Sequence, residues 1–425
     1  MKILRTAGRR AAETQAAIAA LTDRRNAGYE RVLPQARRIV DQVRRGGDAA
    51  LLRLRAKLDG IPSQTPLRIS ESEMRAAWEA TPAPLRAAMR TAAKNIRKFA
   101  ERQRPKDFDL RPAPGVRTGQ RVIPLASVGC YVPSGRYPLP STLLMTVIPA
   151  QIAGVERIVV VSPKPATETL AAAAMLGVTE FYRIGGAQAI AALAFGTEGL
   201  PRVEKMVGPG NAWVTAAKKL VAFDCGVDML AGPTEIVVTS ETGDAASIAA
   251  DLVAQAEHDP EAVAILITSR ADLAKAVVAE VKGRFRGNAI ATAALTNHGL
   301  AVVTRSAEEA RELTNRIAPE HLTVDSAADL AWVRNAGSVF IGRWSAQPLG
   351  DYVSGPNHTL PTSGLARVRG GLSVLDFVKL VTVQEYSEEG VRRLGPAAIR
   401  LANAEGLKGH AEAIRARMKK RSGDE

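Results

Sequence analysis

The chain has 425 residues, of which 46% are hydrophobic and 24% charged, and its formal net charge is +14. Those proportions are ordinary for a soluble globular protein of two to four structural units, and no apolar run reaches the roughly 18 residues that a membrane span requires. The first residues, "MKILRTAGRRAAETQ", lack an apolar signal core, and the two cysteines, Cys130 and Cys225, form no CxxC pair. A secreted protein, a thiolate zinc site and a thioredoxin-like centre are therefore set aside, and a cytoplasmic location without membrane contact is expected.

Residues 1 to about 105 read as helical, because apolar positions recur at helical spacing in "VLPQARRIVDQV" and "APLRAAMRTAAKNIRKFAERQ". Much of the positive excess is arginine in "LTDRRNAGYERVLPQARRIVDQVRRGG". A solvated helix face accounts for it. A nucleic-acid stripe would use the same charges, but aromatics are only 4% and no zinc-finger or RNP-type motif is present, so no nucleic-acid partner is expected. The prolines and glycine of "RPKDFDLRPAPG" break the helical pattern. From about residue 120, short β-branched runs ("RIVVVS", "EFYRI", "VEKMVG", "TEIVVTS", "AVAILIT", "LAVVT", "SVFIG") alternate with alanine-rich helical stretches. Strand–helix–strand repetition implies parallel sheets with helices on their faces, and there are too many strands for one sheet, so two α/β units are expected. After about residue 375 the chain reads as helical again, with a basic end.

Such folds bind ligands in the loops beyond the carboxyl ends of their strands. "SPKPATET", "RIGGAQA", "MVGPGNAW" and "MLAGPTE" are those loops, and Gly185–Gly186 and Gly208–Pro209–Gly210 each follow a strand. Glycines there are either plain turn residues or a place where backbone approaches a phosphate; the full GxGxxG fingerprint is missing. In "QAEHDP", Gln255 and His258 are three apart and would be neighbours on a helix surface, next to Asp251. The pair is either a helix cap or half of a metal site. Of the five histidines, His321 follows Glu320 in "RIAPEHLTV", and His358 shares the glycine- and proline-rich loop "GDYVSGPNHTLPTSG" with Asp351. His410 lies about one and a half turns after Glu405. His298 has no such company and reads as a loop residue, and Cys130 as a small buried one.

Taken in order, "IGGAQAIAALAFGTE", "KMVGPGNAWV", "DMLAGPTEIVV", "DLVAQAEHDP", "APEHL", "NAGSVFIG", "GDYVSGPNHTLPT" and "TVQEYS" closely resemble the histidinol dehydrogenase family, from about residue 125 to 410. The resemblance implies two Rossmann-like parallel-sheet domains with helical N- and C-terminal extensions. It places an arm at 1–22, a first α/β domain at 23–127 and 233–374, a second, NAD-binding one at 128–232, and a tail at 375–425 that serves the partner subunit of a homodimer. It implies NAD-dependent oxidation of L-histidinol through L-histidinal to L-histidine, with one zinc ion per subunit on Gln255, His258, Asp351 and His410, where the metal orients the substrate. It makes Glu320 and His321 the acid–base pair. Thr234, His358 and Glu405 join the metal ligands and His321 in touching substrate, and Tyr131, Gln188 and Asn211 would touch NAD. Thr234, Ser134 and Arg343 stand where the family usually has serine, glycine and an acidic residue. Arg136 and Tyr137 leave a second reading open, a zinc- and NAD-dependent dehydrogenase of an anionic alcohol such as a sulfonated diol.

Overall fold

Alternating strand and helix patterns settle, in the computed structural model, into two parallel-sheet layers and one small antiparallel sheet; the structure describes residues 1–8, 11–22, 28–135, 137–284 and 287–418. The strands in chain order are β1 (Lys2–Arg5), β2 (Arg68–Ile69), β3 (Phe108–Ala113), β4 (Val116–Pro124), β5 (Ser127–Tyr131), β6 (Arg157–Ser162), β7 (Glu180–Arg183) and β8 (Lys205–Val207). They continue as β9 (Gly226–Val227), β10 (Glu235–Thr239), β11 (Val263–Thr268), β12 (Leu300–Val303), β13 (His321–Val324), β14 (Ser338–Ile341) and β15 (Val378–Tyr386). One sheet has the order β1-β12-β11-β10-β13-β14, all parallel. The second has the order β2-β7-β6-β5-β8-β9, parallel except for β2. The third, β15-β4-β3, is antiparallel.

Side chains of β10 alternate between two apolar clusters, Ile236 and Val238 on one face and Val237 on the other. A parallel sheet needs both faces covered, and here helices cover them. Their starts are set by side-chain caps: Asp244 accepts from Ser247 N–H ahead of the helix Ala245–Ala256, and Ser306 from Glu309 N–H ahead of Ala307–Ile317.

Two compact units result, residues 1–103 with 125–377, and residues 104–124 with 378–418 among those described. The larger holds both parallel sheets and the smaller the antiparallel one. No described helix is long and apolar enough to cross a membrane.

Three expectations meet a different arrangement. The arm at 1–22 is not wholly helical, because Lys2–Arg5 pairs with β12. The helices Leu33–Leu54, Glu71–Ala80 and Ala83–Gln103 pack mainly on helices of the β5–β9 layer, where their apolar stripes find the alanine-rich helices. The last of them also reaches the 233–374 segment, where Asn95 Nδ2 donates to the Val353 carbonyl at 2.8 Å. The tail opens with the nine-residue strand β15, whose "VKLVTVQEY" carries alternating β-branched residues, before it turns helical at Glu388–Ala404 and Lys408–Met418.

The β8 turn is held by a buried ion pair. Lys218 Nζ donates to Asp228 Oδ1 and to the Gly208 carbonyl, each at 2.6 Å, and Gly208 N–H donates to Asp228 Oδ2 at 2.8 Å. Both side chains are almost entirely inaccessible. Asp228→Ala would leave Lys218 buried and unpaired. Its expected cost is about 3–5 kcal/mol, read as a fall in the urea unfolding midpoint.

Candidate active site

Thr234 immediately precedes β10 and Glu235 opens it, Glu320 immediately precedes β13 and His321 opens it, and Ser338 opens β14, so these side chains gather at the amino edge of their sheet. That reverses the expectation of a site beyond carboxyl ends for this half. The carboxyl edge of the other sheet meets it, since Thr142, in the helix that follows β5, shares a hydrogen bond of 3.1 Å with His358 Nε2.

Glu320, 6% exposed, accepts from the Thr234 hydroxyl at 2.5 Å and from Glu235 N–H at 2.8 Å. Gln255 Nε2 donates to the Thr234 hydroxyl oxygen, so that hydroxyl passes a donor on to Glu320. The threonine in place of the family's serine keeps this function. Burial pushes the Glu320 carboxyl up to about 7, with His321 and the Thr234 bond holding it lower than burial alone would.

His321 is 3% exposed, and its Nδ1 lies 3.1 Å from the Glu235 carbonyl oxygen. A carbonyl only accepts, so Nδ1 carries the proton of the neutral ring and Nε2 is the atom that exchanges one. Nε2 is 3.5 Å from Asp351 Oδ1 and has no hydrogen-bond partner. Burial opposes charge on this ring, but Glu320 and Asp351 outweigh it and raise the pKa to about 9.

Asp351 lies on the short helix Gln347–Tyr352, where Gln347 Nε2 donates to its Oδ2 at 2.6 Å. His358 Nδ1 is 2.9 Å from the Asp351 carbonyl. Burial would raise the Asp351 carboxyl, but His321, His358 and His258 bring it below its ordinary value. A cleft of about 330 Å³ is lined by His321, Ser338, Phe340, Gly350, Asp351 and His358.

Gln255 and His258 do not share a helical turn as their spacing predicts. The helix ends at Ala256, and His258 lies beyond it with its N–H on the Gln255 carbonyl at 3.3 Å. His258 is exposed as a residue, yet the protein around its ring lowers its affinity for a proton against the pull of Asp351. Gln255 is completely buried, and its Oε1 has no partner. An orphaned carbonyl oxygen, an imidazole and a carboxylate suit a borderline cation such as zinc. Among the described residues, no three His, Cys, Asp or Glu side chains group to hold an ion by themselves. Glu405 caps the helix Glu388–Ala404, and His410 sits in the helix Lys408–Met418; both are exposed and belong to the smaller compact unit.

Tyr131, Gln188 and Asn211 lie at the other sheet's carboxyl edge. Tyr131 ends β5, and its hydroxyl accepts from Gly186 N–H at 3.1 Å. Gln188 follows in the helix Gly186–Phe195. Asn211 caps the helix Ala212–Val221 by accepting from Trp213 and Val214 N–H. A Cβ on Gly208 would lie 2.2 Å from the Tyr131 carbonyl, which is why that turn needs glycine. Three of these glycine N–H groups are already taken, since Gly185 donates to Asp59, Gly186 to Tyr131 and Gly208 to Asp228.

Sequence reasoning missed Asp59, Gln347 and Thr142; only Gln347, four residues before Asp351 and so on the same helix face, left a trace. Cys130 and Cys225 are buried, and burial pushes their thiols up to about 12 and about 11, so neither is a nucleophile. His298 ends a helix and pairs with Glu261 at 3.4 Å. Ser134 accepts from Lys164 N–H at 2.9 Å, and Arg343 lies over the exposed ring of Trp344. Arg136 lies outside the described residues, and the Tyr137 hydroxyl donates to the Glu257 carbonyl at 3.3 Å, so this tyrosine is not set aside for an anion.

Asp251 accepts a hydrogen bond from Gln347 N–H, and burial pushes its carboxyl up to about 6. An unfolded aspartate titrates lower, so the folded chain binds this proton more tightly and loses stability as pH rises from about 4 to about 6. Asp251→Asn should therefore be more stable than the parent at pH 7.5 by about 1–3 kcal/mol and not at pH 4. Urea titrations at the two pH values measure the difference.

The family model described as histidinol dehydrogenase matches residues 22–418. A histidinol dehydrogenase of Gluconobacter oxydans is 45% identical over 415 residues, covering 95% of this chain and 96% of that one. One of Geobacillus kaustophilus is 47% identical over 394 residues, 90% of this chain and 93% of that one. The crystal structure of histidinol dehydrogenase from Elizabethkingia anophelis superposes with a TM-score of 0.91 at 32% identity, over 98% of each chain.

Proposed function

The chain belongs to the histidinol dehydrogenase family, an oxidoreductase family of histidine biosynthesis, and from that premise we propose that it is a cytoplasmic, zinc-containing enzyme that oxidises L-histidinol to L-histidine with two NAD. The observation that carries the reading is the orphaned Nε2 of His321, buried beside Glu320 and Asp351, with His321 and Asp351 both lining the cleft of about 330 Å³. Zinc, held by Gln255, His258, Asp351 and His410, would fix the amino and imidazole nitrogens of the substrate, and NAD would accept the hydride.

The chain's own groups manage the protons. His321 Nε2 takes the hydroxyl proton of histidinol while its Nδ1–H stays on the Glu235 carbonyl, so the ring turns over without reorienting. Glu320, available as the carboxylate near neutrality and fixed by the Thr234 hydroxyl, takes a proton from the water as the water oxygen bonds to the aldehyde carbon. His358, Thr234 and Glu405 line the substrate. Tyr131, Gln188 and Asn211 line the dinucleotide. The sulfonated-diol alternative is disfavoured by Glu320 and Asp351, which would repel an anion.

Purified protein should form two NADH per L-histidinol, and a parallel assay with a sulfonated diol should give none. Because His321 must lose a proton that the fold holds to about 9, histidinol oxidation should rise with pH from 7 toward 9. His321→Asn should remove that limb and slow both oxidations by about 100-fold or more. Glu320→Gln should slow histidinal oxidation far more than histidinol oxidation. Equal histidinal rates in Glu320→Gln and the parent would refute its role with water.

We also place the active site across a homodimer. The small antiparallel sheet leaves Phe108, Leu110, Leu380 and Tyr386 exposed on one face and Ile123, Val381 and Val383 on the other. Apolar surface on both faces is what a partner covers. His258→Ala and His410→Ala chains, each inactive alone, should then complement on co-expression. Half the molecules are mixed dimers with one complete site of two, so about a quarter of parental activity returns. Proven mixed dimers without activity would show that His410 serves its own chain.

A further inference from the structure

A carboxylate with no part in the proposed chemistry faces the glycine turn after β7. Asp59 is the last residue of a helical turn, Arg55–Asp59, and Gly60 after it takes a left-handed φ of 63°. Its Oδ2 accepts from Gly185 N–H at 3.3 Å, and its two oxygens accept from Gln188 Nε2 at 3.1 and 3.0 Å. Gln188 is 1% exposed, so its amide has little room to choose another partner.

The loop that carries Asp59 is fixed from beneath. The fully buried Arg55 guanidinium donates to the carbonyls of Pro62, Ser63, Thr65 and Pro66 at 3.1, 3.2, 2.6 and 3.5 Å. The Leu67 carbonyl then accepts from Arg183 N–H at 2.7 Å, which ties the loop to β7. Asp59 is thus held in place before any ligand arrives.

An amide that points its nitrogen at a carboxylate cannot be turned over, because its oxygen would then oppose two acceptors. Gln188 Oε1 is therefore directed away from Asp59, beside Gly186, where a Cβ would lie only 2.9 Å from it. Burial raises the Asp59 carboxyl above its ordinary pKa, and the Gln188 and Gly185 donors and Lys164 offset part of that.

We propose that Asp59 is a positioning residue of the dinucleotide site: it locks the Gln188 amide so that its carbonyl oxygen meets a hydrogen-bond donor of NAD, a ribose hydroxyl or the carboxamide N–H, and not a phosphate. The inference rests on the reading of Gln188 as an NAD contact.

A double-mutant cycle on the full-length, zinc-loaded enzyme tests it, with NADH binding read by fluorescence and KM for NAD read separately from kcat. Asp59→Ala should raise the NADH Kd and the KM for NAD about ten-fold or more, the scale of one charge-assisted hydrogen bond, while kcat falls less than about three-fold. Gln188→Ala should do the same. The double variant should bind no more weakly than the weaker single one, within about two-fold, because both remove one device. Additive losses, or parental NADH affinity in Asp59→Ala, would overturn the proposal. Should Asp59→Ala fail to fold, Asp59→Asn carries the test: it keeps one acceptor and should weaken NADH about three- to ten-fold, and parental affinity there also overturns it. If Gln188→Ala itself binds NADH like the parent while histidinol is still oxidised, the Gln188 contact is wrong and the proposal falls with it. If Gln188→Ala weakens binding and Asp59→Ala does not, only the proposal falls.

Discussion

Carboxylates drawn wholly or partly out of water must find donors, and five of them organise this molecule. Each of Glu235, Glu320, Asp351, Asp59 and Asp228 collects N–H or O–H groups from elsewhere in the chain. Glu235 takes Ser363 N–H, Glu320 takes Thr234 and Glu235, and Asp351 takes Gln347. Asp59 takes Gln188 and Gly185, and Asp228 takes Gly208 and Lys218. An ionised group left without such partners costs several kcal/mol. Each therefore acts as a fastener between segments that hydrophobic packing alone would leave free to slide. The loop 359–363 is pinned to β10 in this way, and the turns after β7 and β8 are closed.

The periodicity of the chain made the two parallel sheets legible, because the β-branched runs and the alanine-rich stretches differ in both composition and period. β10, β11 and β14 fall within a residue of the runs that predict them. The strand β15 escaped because its alternation sits between a polar loop and a long helix, and its exposed, two-sided pattern is not that of a core strand. At the site, Glu320, His321, Asp351, Thr234 and Gln255 were legible through motif resemblance, and the structure brings these five together. Asp59 was not legible. Its partner Gln188 is 129 residues away, and "KLDG" by itself reads as a turn.

The glycine turns show why a fingerprint can be absent without loss of the fold. A glycine-rich strand–helix turn attracts a phosphate when its N–H groups have no other acceptor. Here Asp59, Tyr131 and Asp228 take those donors first. What remains at that edge is side-chain chemistry, such as the Gln188 carbonyl and the Asn211 amide. The Gln188 carbonyl only accepts, so it suits a hydroxyl or an amide N–H and not a diphosphate, and such a signature lies in scattered side chains and not in a glycine pattern.

The amino edge of the other sheet carries the opposite imbalance, a surplus of acceptors. Gln255 Oε1 is buried without a partner, and so is His321 Nε2 when the ring is neutral, while Asp351 and Glu320 stand beside them. Each unsatisfied buried acceptor costs about 1–3 kcal/mol. The large apolar cores around β10 and β11 are wide enough to carry that cost, and mutating the site to apolar residues would recover some of it. The same surplus decides which ligands are welcome. A divalent cation, an ammonium and an imidazole N–H each supply what the site lacks, and each gains more there than in water because its partners are already oriented and dry. A sulfonate would bring a further acceptor to a place that already has too many. The preference for a cationic amino alcohol over an anionic one is thus set by the count of donors and acceptors that the fold leaves unmatched.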